Sequence, residues 1–263
     1  MRLIIHPDYT GVCRWVACYI AGRITRFAPT AAKPFVLGLP TGSTPLGIYH
    51  ELISLYREGS LSFAHVITFN MDEYRGLKPD HPQSYNRFMW ENFFSFIDIK
   101  RDNVNILNGM AADPARECAE YEERIQAAGG IELFLGGIGV DGHIAFNEPG
   151  SSLRSRTREK TLSLDTKRAN ARFFNQNPDA VPASALTVGV GTIMDAREVL
   201  LVVSGYNKAR ALQAVVEGGV SQMWTASCLQ LHERALIVAD EAATDELKVA
   251  TVRYFKTIEA RQY

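Results

Sequence analysis

The sequence predicts an α/β protein of three layers: an open, mainly parallel, Rossmann-like sheet with helices on both faces. Three observations carry this reading. Short apolar runs rich in β-branched residues end in Gly, Pro or Asp, and longer stretches of helical period separate them, which is the rhythm of βαβ units. The runs are apolar throughout rather than alternating, as strands covered on both faces are. No internal repeat, low-complexity tract, linker or composition shift divides the 263 residues, so residues 1–263 are expected to form one domain.

In chain order, the expected buried strands are Phe35 to Leu39, Val66 to Phe69, Leu133 to Leu135, Val199 to Val203 and Leu236 to Ala239. Pro45 begins a helix in which Leu46, Tyr49, Leu52, Ile53 and Tyr56 recur three or four apart, with Thr44 placed to cap it. Pro114 to Ile125, Asn207 to Val216 and Thr244 to Phe255 carry the same period, and Tyr254 and Phe255 are expected on the buried face of the last helix. Ligands in such folds gather at the carboxyl ends of the strands, so the loops there are the candidate chemistry.

Composition removes several function classes. Twenty-eight Lys and Arg balance twenty-nine Asp and Glu, for a net charge of −1 and a pI near 6.6, so no global positive field attracts nucleic acid or anionic membrane. No apolar run reaches the roughly 18 to 20 residues that cross a bilayer. Pro7 and Asp8 interrupt any signal-peptide core at the N-terminus. A cytoplasmic location is therefore expected. Cys13, Cys18, Cys118 and Cys228 are too few and too scattered for a disulfide framework and are expected as reduced thiols.

The turn Leu39-Pro40-Thr41-Gly42-Ser43-Thr44-Pro45 leads into a helix N-terminus. It is either a phosphate cradle, built from exposed backbone N–H groups and the helix dipole, or a tight turn with a Thr cap. The spacing and Lys of a P-loop are absent, against nucleoside triphosphate chemistry. After the third strand, Gly137, Gly139 and Gly142 satisfy G-x-G-x-x-G, yet Asn147-Glu148-Pro149-Gly150 stops any following helix, and Arg154, Arg156, Arg158 and Lys160 stand where a ribose-binding acid belongs. That context argues against a dinucleotide. The loop does gather Asp141, His143 and Glu148 within eight positions, and a His between two carboxylates suits acid–base work near neutral pH. Asp72 and Glu73 follow the second strand, where a carboxylate serves as proton acceptor, metal ligand or cap. Metal is the weakest of these, since no His- or Cys-rich set stands out. Arg172 and Lys208, with the Gly42 turn, make a possible phosphate clamp. The run Arg154 to Lys160 is either a solvated face or a second anion site.

Taken in order, Leu37-Gly38-Leu39-Pro40-Thr41-Gly42-Ser43-Thr44-Pro45, Thr68-Phe69-Asn70-Met71-Asp72-Glu73-Tyr74, Gly139-Val140-Asp141-Gly142-His143-Ile144-Ala145-Phe146-Asn147-Glu148-Pro149 and Ala185-Leu186-Thr187-Val188-Gly189-Val190-Gly191-Thr192 resemble the glucosamine-6-phosphate deaminase family over nearly the whole chain. The resemblance implies conversion of glucosamine 6-phosphate and water to fructose 6-phosphate and ammonium, in amino-sugar catabolism. It also implies a hexameric cytoplasmic enzyme with no metal or organic cofactor. Asp72 then matches the base that moves a proton between C2 and C1. His143 matches the ring-opening acid–base group, and Asp141 and Glu148 the carboxylates that position and tune it. Gly42, Ser43, Thr44, Arg172 and Lys208 match the phosphate site. Ser151, Arg158, Lys160, Thr161 and Tyr254 match an intersubunit site for the activator N-acetylglucosamine 6-phosphate.

Two departures accompany the match. Ser43 stands where some members carry a second Gly, and the segment around Lys208 is variable. The polar stretch Arg172 to Pro182 is the expected mobile lid. Competing readings are a 6-phosphogluconolactone hydrolase on the same scaffold and a non-catalytic sugar-phosphate sensor. The segments around Asp72 and Glu148 point away from the first, and the early first strand leaves the second no room for a helix-turn-helix.

Overall fold

The computed structural model describes residues 1–260. A seven-stranded parallel sheet forms its centre, in the spatial order β1 (Arg2–His6), β10 (Ala235–Asp240), β9 (Val199–Val203), β6 (Leu133–Gly137), β2 (Phe35–Leu39), β3 (Val66–Asn70) and β5 (Val104–Asn105). All five runs expected from the sequence are strands of this sheet. In β2, β9 and β10 every residue is buried, as continuous apolarity requires of strands covered on both faces. Gly38 is obligatory at the centre, because a Cβ there would stand 2.5 Å from the ring of Phe134 on β6.

The long helices are α1 (Tyr9–Phe27), α2 (Leu46–Arg57), α4 (Pro114–Ala127), α7 (Ala209–Glu217) and α8 (Val249–Glu259). They cover the sheet through two apolar clusters. In one, Val12, Val16 and Ile20 of α1 meet Leu37 and Val238 of the sheet. In the other, Tyr121 and Ile125 of α4 meet Phe69 and Phe134. No described helix is long and apolar enough to cross a membrane.

Several details differ from expectation. β1 and α1 precede the first expected strand; α1 starts on Asp8, whose carboxylate accepts from Gly11 N at 2.8 Å. Thr44 does not cap α2: Pro45 occupies the N-cap position and no side chain of that segment accepts a first-turn N–H. The last helix begins at Val249 rather than Thr244, which closes a short 3₁₀ turn, Glu241–Thr244. Tyr254 is 61 % exposed and Phe255 only partly buried, so that helix lays no buried aromatic face on the core.

A second, antiparallel sheet was not expected. β4 (Asp72–Tyr74), β8 (Ser184–Thr187) and β7 (Arg158–Thr161) pair in the order β4-β8-β7. The chain crosses from one sheet to the other at Met71, which donates to Leu39 O at 3.1 Å and accepts from Val188 N at 2.8 Å. Asp72 is thus the second residue beyond the carboxyl end of β3 and the first of β4, at the seam between the sheets.

Candidate active site

A cavity of about 1180 Å³ opens at the carboxyl ends of the parallel strands and is lined by Asp72, Asp141, His143 and Glu148 together with Gly42, Ser43, Thr44, Arg172 and Lys208. The residues expected to carry catalysis and those expected to hold phosphate therefore share one space.

Asp72 is 6 % exposed. Burial, and then the charge of Glu73, push its carboxyl well above the usual range. Glu73 is itself buried, and its oxygens accept N–H groups from Tyr74, Tyr85 and Asn86 at 2.8, 3.0 and 2.9 Å. It ties β4 to the start of α3 (Tyr85–Asn92), and Tyr85 lines the cavity.

The loop after β6 stays non-helical, as Asn147 to Gly150 led us to expect. Gly139 N donates to His143 O at 2.8 Å and Gly142 N to Gly139 O at 3.0 Å, folding the loop so that His143 Nδ1 lies 2.7 Å from Asp141 Oδ1. Gly142 adopts φ +76, and a Cβ on it would strike Trp224 at 2.4 Å. Burial raises the Asp141 carboxyl, but the hydrogen bond and charge of His143 outweigh it, and the net shift is downward. Glu148 Oε1 accepts from Ser163 N at 3.1 Å, while its buried Oε2 has no hydrogen-bond partner among the described residues. Ala145, at φ +52, turns the chain between His143 and Glu148. Asn147 anchors this turn by donating to Ile144 O and Val188 O, each at 2.9 Å.

Asp141, His143 and Glu148 bring their ligating atoms within 4.8 Å of one another, the one such group among the described residues that could hold a metal ion. The same geometry is that of an orienting carboxylate, an imidazole and a second carboxylate, which is acid–base machinery.

At the other end, Gly42 takes φ +91, and the backbone N–H groups of Gly42, Ser43 and Thr44 have no acceptor among the described residues. Arg172 Nη2 reaches Ser43 Oγ at 3.5 Å. Lys208 ends a 3₁₀ turn, Tyr206–Lys208, that leads into α7. Burial, then the charge of Arg172, lower its ammonium to about 8 against the pull of Asp141. Two cations and a row of unpaired N–H groups converge there, a geometry suited to an anion.

The residues expected to hold an effector divide. Arg158, Lys160 and Thr161 lie on β7, and Ser151 is buried with an unpartnered Oγ. Tyr254 does not join them within one chain, because α8 packs against β1. Arg154 and Arg156 precede β7, and Arg156 is engaged by Glu122 and Asp195 at 2.6 and 2.5 Å.

Sequence reasoning missed the aromatic walls. Tyr85, Phe174 and Trp224 line the cavity, and Phe174, near the start of the expected lid, packs edge-on against Tyr74 with ring centroids 5.6 Å apart. Nothing in a single sequence separates such rings from ordinary core residues.

The sequence model of the glucosamine-6-phosphate isomerases/6-phosphogluconolactonase family matches residues 7–238. A glucosamine-6-phosphate deaminase of Bacteroides thetaiotaomicron is 63 % identical over 260 residues, 99 % of this chain and 96 % of the relative. One of Borreliella afzelii is 60 % identical over 263 residues, all of this chain and 98 % of the relative. Among solved structures, a monomeric glucosamine-6-phosphate deaminase superposes with a TM-score of 0.87 at 41 % identity, covering 94 % of this chain and 100 % of the other. A 6-phosphogluconolactonase of Thermotoga maritima superposes with a TM-score of 0.70 at 20 % identity over 91 % of this chain and 99 % of the other, a likeness of fold alone.

Proposed function

We infer, from the premise that this chain belongs to the glucosamine-6-phosphate isomerase/6-phosphogluconolactonase family and lies on its deaminase branch, that it converts glucosamine 6-phosphate and water to fructose 6-phosphate and ammonium. The observation that carries this is the buried carboxylate Asp72, its affinity for a proton raised, in one cavity with the Asp141–His143 pair and an anion-binding turn.

The chemistry needs two proton-handling stations. The sugar ring opens when the ring oxygen gains a proton and the anomeric hydroxyl loses one. His143, whose Nδ1 lies 2.7 Å from Asp141 Oδ1 without the alignment of a hydrogen bond, presents its imidazole for that exchange, and Glu148 offers an unpartnered oxygen beside it. Asp72 then takes the proton from C2, leaving an enolamine, and returns it to C1, which gives the C2 imine. Water adds to C2, ammonia leaves as ammonium, and the C2 carbonyl of fructose 6-phosphate remains. A raised pKa suits Asp72 to both halves of this shuttle. Gly42, Ser43, Thr44, Arg172 and Lys208 hold the phosphate, and Arg172 to Pro182 closes over the cavity. This assignment uses the trio as acids and bases, with no metal.

The same reading extends to activation by N-acetylglucosamine 6-phosphate at Ser151, Arg158, Lys160 and Thr161, with Tyr254 of a second subunit, in a cytoplasmic homohexamer that serves amino-sugar catabolism. The buried, unpartnered Ser151 Oγ and the separation of Tyr254 from β7 favour a site completed between chains. Light scattering tests the assembly; a monomer, as in the 41 % identical relative, would remove it. The activity itself is tested by release of ammonia and fructose 6-phosphate from glucosamine 6-phosphate by chelator-treated protein. Equal amounts of both products, abolished in Asp72→Asn, are expected; no release from folded, sugar-phosphate-binding protein would move the reading to a lactonase or a sensor.

A further inference from the structure

We propose that Tyr9, outside the catalytic cavity, is the positioning residue of the phosphate turn: its hydroxyl holds the Ser43 and Thr44 carbonyls outward and keeps the N–H groups of the turn facing substrate. The proposal rests on the reading that Gly42 to Thr44 cradles the phosphate.

Tyr9 is the first residue of α1, and its hydroxyl bridges to the start of α2. It donates to Thr44 O at 2.8 Å, with Ser43 O also within reach at 3.4 Å, and accepts from Gly47 N at 3.0 Å. The first turn of α2 has no cap from its own segment, so an orphan donor that a local Ser, Thr or Asp ordinarily satisfies is satisfied here from another helix. Across a trans peptide the C=O and the N–H point to opposite sides. The Ser43 carbonyl faces Tyr9 at 3.4 Å, so Thr44 N–H points away from it, while the nearer acceptor, Thr44 O at 2.8 Å, belongs to the Thr44–Pro45 peptide, which has no N–H, and anchors the end of the turn. Thr44 lines the cavity and Tyr9 does not, so away from Tyr9 is towards the substrate. Gly42, at φ +91, supplies the reversal that lets the turn adopt this pose.

The close approach is built into the sequence. A Cβ at Gly47 would stand 2.9 Å from Tyr9 Oη and 2.5 Å from Cys13 Sγ. Burial, and then the Cys13 hydrogen bond, push the phenol to about 12, which keeps it a donor at any working pH. Without the hydroxyl, Thr44 O and Gly47 N lose their partner, and the turn from Ser43 to Pro45 loses its anchor to α1. The loss falls on anion binding and leaves proton transfer at C1 and C2 untouched.

The test is Tyr9→Phe in steady-state kinetics with glucosamine 6-phosphate, and with inorganic phosphate as a competitive inhibitor. KM and the phosphate inhibition constant are expected to rise by the same factor, about five- to tenfold for one lost hydrogen bond, with kcat within about twofold. A lowered melting temperature with KM and phosphate inhibition unchanged would mean a merely structural role and overturn the proposal, as would a fall in kcat alone. Arg172→Ala separates the two ideas. If it weakens phosphate and Tyr9→Phe does not, the cradle stands and the proposal falls; if it leaves phosphate inhibition unchanged, the cradle itself is misassigned. Should Tyr9→Phe fold poorly, Gly47→Ala presses on the same hydroxyl from the helix side, and the same paired rise is expected; unchanged constants would again overturn the proposal.

Discussion

Arg158 and Asp72 sit in register on either side of Thr187 in the three-stranded sheet, and Arg158 also donates Nη1 to Asn147 Oδ1 at 2.9 Å. The residue expected to meet an effector is thus one strand from the expected base and in contact with the residue preceding Glu148. Thr187 adds a second link, because its Oγ1 accepts from Phe146 N at 3.1 Å. For an effector bound on β7, as proposed, these contacts give a short physical route to both proposed proton-handling stations.

That route makes a prediction about Arg158→Gln. Velocity at subsaturating glucosamine 6-phosphate is expected to become flat in N-acetylglucosamine 6-phosphate, while the parent protein responds. Coupling requires two states that bind the effector differently, so a flat response in the parent protein would remove the effector site altogether. Asn147→Ala cuts the link and also removes two buried hydrogen bonds, to Ile144 O and Val188 O, for an expected cost of about 2–4 kcal/mol, measured by chemical denaturation.

The proton transfer proposed for Asp72 fixes the sign of the acid limb. The carboxylate must be ionised to take the C2 proton, and burial followed by the charge of Glu73 raises its pKa. Activity is therefore lost as pH falls through that raised value, well above the ordinary Asp value of about 3.9. Glu73→Gln leaves the burial and removes the negative neighbour, so the limb of kcat/KM should move to lower pH. A limb unmoved in this variant would assign it to another group. For Asp72→Asn, kcat should drop by about 10²- to 10⁴-fold with sugar-phosphate binding retained, and exchange of the C2 proton with solvent should stop.

On the alkaline side the proposed phosphate site makes Lys208 the expected controlling group. Its ammonium is lowered to about 8 by burial and by Arg172, so the cation is present below that pH and lost above it. KM for glucosamine 6-phosphate should rise from about pH 8 upward while kcat changes little. Lys208→Met should start at the raised KM and flatten the dependence. A KM that climbs equally in both proteins would exclude Lys208 as the cause.

In the expected lid, Arg172 to Pro182, the ring of Phe174 packs against Tyr74, and Asn175 and Gln176 follow it at φ +53 and +61. Non-glycine residues held at positive φ store backbone strain. Hydrogen exchange of this segment should slow on adding a sugar phosphate, and equal protection with and without ligand would sink the lid.

What the sequence made legible follows from how each element gains its stability. β2, β9 and β10 are buried on both faces and carry that fact as unbroken apolar runs. β4 is Asp-Glu-Tyr, a buried strand of polar letters, and β7 is half exposed; both depend on pairing partners far along the chain, which no local pattern encodes. α1 did carry a readable stripe, with Val12, Val16, Ile20 and Ile24 buried at four-residue spacing. The capping of α2 was legible only in part, since the cap is Tyr9 from another helix. Asp72 and the residues from Asp141 to Glu148 stood out because acids and a histidine at strand ends have few structural reasons to be there, whereas Tyr85 and Trp224 look like any packed ring.

Gly139 offers the sharpest steric test of the Asp141–His143 pair. A Cβ there would stand 2.5 Å from His143 Cε1 and 2.6 Å from Asp141 Oδ1, closer than any real contact, so Gly139→Ala must displace one of them. Because the intruding methyl meets the two catalytic side chains, the damage should concentrate in ring opening, with the melting temperature nearly unchanged and phosphate inhibition intact. A displacement of about 1 Å can cost on the order of 10²-fold in rate. His143→Gln should lose the same step, and combining the two substitutions should add little, as residues acting as one unit do. Full additivity of the two losses would show that Gly139 acts elsewhere, and would separate the histidine from the loop geometry that is proposed to aim it.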